Sequence, residues 1–126
     1  RNKHHMEYWI DYGVPDEGGD KGLCGMKMPL RYVVEMYIDR VAASKNYQKE
    51  RYTDRSALEY YLHGKDFHVM HKDTRALLEL LLYRLAARGE QEVNAFIREE
   101  LLTGKIPYEQ KVLDQLAQPY RREAEK

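Results

Sequence analysis

Between Thr74 and Arg88 the leucines at 77, 78, 81, 82 and 85 recur at intervals of three and four. Only an α-helix brings residues at that spacing onto one face. Asp73 and Thr74 precede the stretch and suit a helix start; Gly89 follows it and suits a helix end. A leucine stripe of this length cannot rest against water. It therefore calls for a fold in which other helices bring apolar stripes of their own to meet it.

The rest of the chain supplies them. Leu30, Val33, Val34, Tyr37, Ile38 and Val41 form a broad stripe, predicting a helix from Pro29 to about Ser44. Ser56-Ala57-Leu58-Glu59 has capping-box spacing, with Thr53 and Asp54 as alternative caps, and opens a helix that stops at Gly64. Residues 90–103 predict another, with Val93, Phe96, Ile97, Leu101 and Leu102 inward. Residues 108–118 predict a last short one. Met6, Trp9 and Ile10 share a helical face, so residues 1–12 read as a short helix or the end of one. Residues 13–28, rich in glycine, read as a loop, and 45–53 as a connector. No stretch alternates with period two. The expectation is an all-α fold, a compact bundle of about five helices in a single domain over 1–118. A charged tail, 119–126, is expected to fray.

Composition narrows the function. The 126 residues hold 21 basic and 21 acidic side chains, a formal net charge of zero. A dedicated DNA or RNA binder is not expected, because neutralising phosphates needs a basic surplus. No run approaches the roughly 18 apolar residues of a membrane span. The single cysteine, Cys24, excludes an internal disulfide and a cysteine-rich zinc site, and fits a reduced, cytoplasmic setting.

Four groups of residues could carry chemistry. His4, Glu7 and Asp11 share a face if helical, with Asn2 and His5 beside them. Imidazole and carboxylate suit zinc, iron, manganese and nickel; the plain alternative is a polar surface. Glu35 and Asp39 lie four apart on one helix. They either attend a cation or are neutralised by Arg31, Arg40 and Lys45. The basic run from Arg40 through Lys45 to Arg55, interleaved with Tyr47 and Tyr52, could hold a phosphate or form a solvated connector. His63, His68 and His71 read as ordinary loop histidines, and Cys24 as incidental.

Two longer patterns carry a resemblance. The first is Asn2-x-His4-His5-x-Glu7-Tyr8-Trp9. The second runs from Lys27-Met28-Pro29-x-Arg31-Tyr32-Val33-Val34-Glu35 through Asp39-Arg40 to Lys45, followed by Tyr52-Thr53-Asp54 and Glu59-Tyr60-Tyr61. Over about residues 1–103 the chain resembles a family of uncharacterised bacterial and phage proteins, catalogued as a domain of unknown function. Members usually carry an upstream segment with further histidines, so this chain looks like the carboxy-terminal part of such a protein. An apolar groove left by that segment could be filled by self-association into a homo-oligomer. The order of histidines and aspartates is similar to that of HD-type metal-dependent phosphohydrolases, which are all-α. That similarity implies His4 and His5 as ligands or phosphate contacts, Asp39 as the last ligand and Glu35 as a supporting carboxylate. It implies Arg31, Arg40 or Lys45 as phosphate contacts, a small phosphorylated substrate such as a nucleotide, and a divalent metal (manganese, iron, zinc, nickel or magnesium). Haem is not expected, since haem catalases are far longer. The alternative expectation is a non-catalytic helical interaction module in which His4 or His5 pairs with Glu35 or Asp39 in a buried network.

Overall fold

The computed structural model describes residues 3–13, 22–65 and 68–125. A 3-10 turn, Met6–Trp9, leads into strand β1 (Ile10–Gly13), which pairs antiparallel with β2 (Gly22–Gly25). Ile10 faces Gly25 and Gly13 faces Gly22 across the ribbon. Five helices follow: α1 (Leu30–Gln48), α2 (Ser56–Gly64), α3 (Lys72–Arg88), α4 (Glu90–Phe96) and α5 (Gln110–Ala124). A π-helical turn, Ile97–Leu101, extends α4. The fold is all-α apart from the small ribbon. The ribbon corrects the expectation of helix and loop on either side of Gly13. Two four-residue strands, three of whose residues are glycine, are too short to show an alternating pattern.

Helix α3 is the centre of the molecule. Leu77, Leu78, Leu80, Leu81, Leu82 and Leu85 are all fully buried, and α1, α2, α4 and α5 all pack on this helix. The predicted stripe is therefore widened to nearly the whole circumference. Each buried leucine contributes about 1.5–3 kcal/mol of transfer free energy. Glu79, in the same run, is also buried. It accepts a hydrogen bond from the Tyr61 hydroxyl at 2.7 Å and one from Arg121 at 3.0 Å.

The start of α3 differs from the expected cap. His71 occupies the N-cap, its Nδ1 accepting the Asp73 N–H at 3.1 Å. This leaves Asp73 and Thr74 for longer-range work. The Thr74 hydroxyl accepts the Met28 N–H at 3.0 Å and meets the Tyr108 hydroxyl at 2.9 Å. Asp73 accepts the Gln110 N–H at 2.8 Å and pairs with Lys27 at 3.1 Å. One turn of helix thus joins the entry of α1 to the entry of α5.

Burial alone would raise the Asp73 pKa, but the Gln110 N–H and the Lys27 ammonium outweigh it and hold the carboxyl below its usual range. A carboxyl depressed in the folded state stabilises the fold above its unfolded pKa of roughly 3.9, and that stability is lost as pH falls through the folded value. Asp73→Asn is expected to flatten the acid limb of stability below about pH 5. Urea midpoints measured from pH 3 to 7 check this; parallel curves for parent and variant would contradict it.

Two other boundaries lie beyond those the sequence predicts. Helix α1 runs one turn past Ser44 and ends at Gln48, where Lys49 takes φ 53°. The expected frayed tail is helical through Ala124. Ala124 is buried, its carbonyl accepts from Arg55 at 2.7 Å, and Glu123 pairs with Arg88 at 2.9 Å. Pro119 is tolerated within α5 because it and Gln115, whose carbonyl loses its helical donor, are both exposed. Among the described residues, no helix is long and apolar enough to cross a membrane.

Candidate metal centre

The amino-terminal turn is laid against α1 by Trp9. Its indole N–H donates to the Lys3 carbonyl at 2.6 Å, and its own carbonyl accepts the Met26 N–H at 2.6 Å. Its ring lies 6.0 Å from that of Tyr32 on the first turn of α1. An aromatic ring on the core with its N–H satisfied is a firm anchor. Residues 3–9 are thereby held alongside α1.

This brings His4 and His5 to Asp39. One ligand atom from each of the three lies within 4.8 Å of the other two. His5 Nε2 is 3.8 Å from Asp39 Oδ2, and the two imidazoles meet edge to face at 4.5 Å between centroids. Donor atoms around a zinc-sized ion sit about 2.0–2.2 Å from it, so small side-chain rotations would close the set. Two imidazoles and one carboxylate suit zinc, iron, manganese or nickel. Three protein ligands with open positions are the pattern of a catalytic rather than a structural site. The His5 and Asp39 side chains are 48% and 57% exposed, so the cluster is open to solvent. That exposure also means these residues do not form a buried His/carboxylate network.

The other expected residues are scattered. Glu35 lies one turn before Asp39, exposed and outside the cluster of three. Arg31 lies two turns before Asp39, stacked on Tyr32 at 4.7 Å and donating to its hydroxyl at 2.7 Å. Lys45 is held by Glu90 of α4 at 2.7 Å and lies over the Tyr52 ring. Arg40 follows Asp39 in α1. Its guanidinium sits 5.7 Å from the Tyr61 ring centroid, its Nε is buried without a hydrogen-bond partner, and burial lowers its pKa. Asn2 and the side chains of Asp11 and Cys24 lie outside the described residues.

His68 is more than an ordinary loop residue. Its ring packs on Tyr61 at 6.0 Å, and its Nδ1 is buried without a partner. Burial, then the charges of Arg40 and Arg75, push its pKa down, while Glu7 opposes them. Nothing in the local sequence marks it, because its environment comes from α1, α2 and α3. His71 serves as the cap described above, and His63 is exposed at the end of α2.

The sequence matches DUF5662, a family of unknown function, over residues 1–84. The chain belongs to the DUF5662 family. No curated protein and no solved structure matches it. The DUF5662 match includes His4, His5, Asp39, Arg40 and His68, and it ends inside α3.

Proposed function

We propose that this chain is a metal-dependent phosphohydrolase, HD-like in its use of histidine and aspartate, acting on a phosphate ester. His4, His5 and Asp39 hold one divalent ion. The convergence of two histidines from the amino-terminal turn with a carboxylate from α1 carries this reading. Such an ion supplies Lewis acidity, easing deprotonation of water and polarising a phosphoryl oxygen. Asp39 contributes the negative charge that a dication requires, and the two neutral imidazoles complete the donor set. Arg40, the next residue, offers a guanidinium to phosphoryl oxygens, where donors positioned before reaction stabilise developing charge most effectively. Glu35, one turn away, supports the site as a second carboxylate.

The test is direct. Dialysed protein titrated with manganese, nickel or zinc should take up one ion per chain, measured by calorimetry. It should also hydrolyse p-nitrophenyl phosphate with that ion present. His5→Ala and Asp39→Ala, both at exposed positions, should keep the helical circular dichroism spectrum. Each should weaken metal affinity by more than the roughly 10–100-fold lost when supporting residues around a metal are removed. An absence of binding to any of the three ions, or hydrolysis by Asp39→Ala at the parent rate, would overturn the reading.

A further inference from the structure

One turn beyond Asp39, about 6 Å along α1, a groove opens between α1 and α2. Its cavity is about 310 Å³, and Arg40 lines it. It exists because the facing residues are small: Ala43 and Ser44 on α1, Ser56 and Ala57 on α2. Tyr47 and Tyr60 stand at its sides, 82% and 74% exposed. Two rings that exposed contribute little to the core. They offer flat apolar faces on both helices instead.

The groove also has a polar group fixed in orientation. The Ser56 hydroxyl accepts the Thr53 N–H at 2.9 Å and donates to Gln48 Oε1 at 2.7 Å. That bond turns the Gln48 amide so that its oxygen is used and its NH2 remains to donate. A slot of this size lies at the low end of small-molecule sites, roughly 300–1,000 Å³. It fits one planar ring system better than a peptide or a lipid chain. A ring with acceptors on its edge, between aromatic faces, beside a guanidinium and one helical turn from a metal cluster, describes a nucleobase joined to a phosphate.

From this geometry we infer that the α1–α2 groove binds the base of a nucleoside monophosphate whose phosphate reaches Arg40 and the His4–His5–Asp39 cluster. The inference rests on the hydrolase reading for the phosphate end alone. The base end stands on the groove.

The experiment keeps the two apart. Adenosine, guanosine, cytidine and uridine are offered to the metal-free protein, and saturation transfer to their base protons is recorded by NMR. At least one should receive saturation. Its monophosphate should bind more tightly than ribose 5-phosphate when manganese is added. Tyr47→Ala and Tyr60→Ala should each weaken nucleoside binding at least about fivefold, the lower end of what one base–aromatic stack contributes. Ala43→Phe, which fills the groove from an exposed position, should abolish it. Asp39→Ala should leave nucleoside binding unchanged while removing the manganese-dependent gain. If no nucleoside receives saturation, or if both tyrosine variants and Ala43→Phe bind as the parent does, the inference fails even where phosphatase activity persists. Nucleoside binding without metal uptake would instead leave the groove standing and remove the hydrolase.

Discussion

Glu79→Ala is expected to destabilise the domain by about 3–5 kcal/mol, the cost of breaking a buried, hydrogen-bonded charge pair from one side. The Glu79 side chain is only 6% exposed and is met by Tyr61, by Arg121 and, at 3.8 Å, by Lys65. Burial first, and then the Glu79 charge, push the Tyr61 phenol up, so it stays protonated and acts as the donor. Removing the carboxylate leaves that hydroxyl without its acceptor and leaves the Arg121 guanidinium only the longer contact to Asp114, at 3.6 Å. It also loosens α2 and α5 from α3 together. Glu79→Gln keeps an acceptor for Tyr61 and should cost less than Glu79→Ala. Urea denaturation of the two variants measures this. A loss below about 1 kcal/mol for Glu79→Ala, in the range of an exposed ion pair, would show that the network adds nothing beyond surface charge.

Gly25→Ala is the second change with a large expected effect, and it acts at a distance. A methyl group at Gly25 would lie 2.5 Å from the His71 nitrogen and the Met70 carbonyl carbon, and 2.6 Å from Met70 Cα. All three are backbone atoms, so no side-chain rotation relieves the contact. Overpacking of this kind costs about 1–3 kcal/mol or more. The ribbon should yield rather than α3, whose leucines are locked in the core. Because the Met26 N–H holds the Trp9 carbonyl, a displaced ribbon carries the His4–His5 turn with it. Helical circular dichroism should therefore persist while metal affinity falls about tenfold or more, since a loosened supporting shell spoils a site without unfolding the scaffold. Parent-like metal affinity in Gly25→Ala would show that the ribbon does not position the histidines.

Much of the helical scaffold was legible in the sequence because its stripes are long. Leu77 to Leu85 could be nothing but a helix, and Val33, Val34, Tyr37 and Val41 named its neighbour. The ribbon was not legible, since glycine-bearing strands of four residues show no alternation. Glu79 carries no signal in the sequence, because one carboxylate in a leucine run gives no sign of its neighbours. Its acceptance into the core depends on Arg121, 42 residues away. Asp73 and Thr74 look like local caps in the sequence, yet their partners are Met28, Gln110 and Lys27, which only the packed fold supplies. In the candidate site, the residue types at His4, His5 and Asp39 could be read as metal-binding. Their proximity depends on Trp9 seating the amino-terminal turn. Lys45 has the right charge on the right helix, but Glu90 occupies it.

The central position of α3 has an evolutionary side. The match to the DUF5662 family covers residues 1–84 and so ends before α3 itself ends and before α4 and α5 begin. Yet α5 covers a large part of the α3 surface, and its Arg121 answers the charge of Glu79 inside the shared segment. Any relative that keeps an acid at this place but ends in a different carboxy-terminal segment must bring another cation and another apolar cover to the same face. The stretch covered by the family match and the stretch that packs into one core have different borders here. A sequence change after residue 84 can therefore be felt as lost stability in the packing built before it.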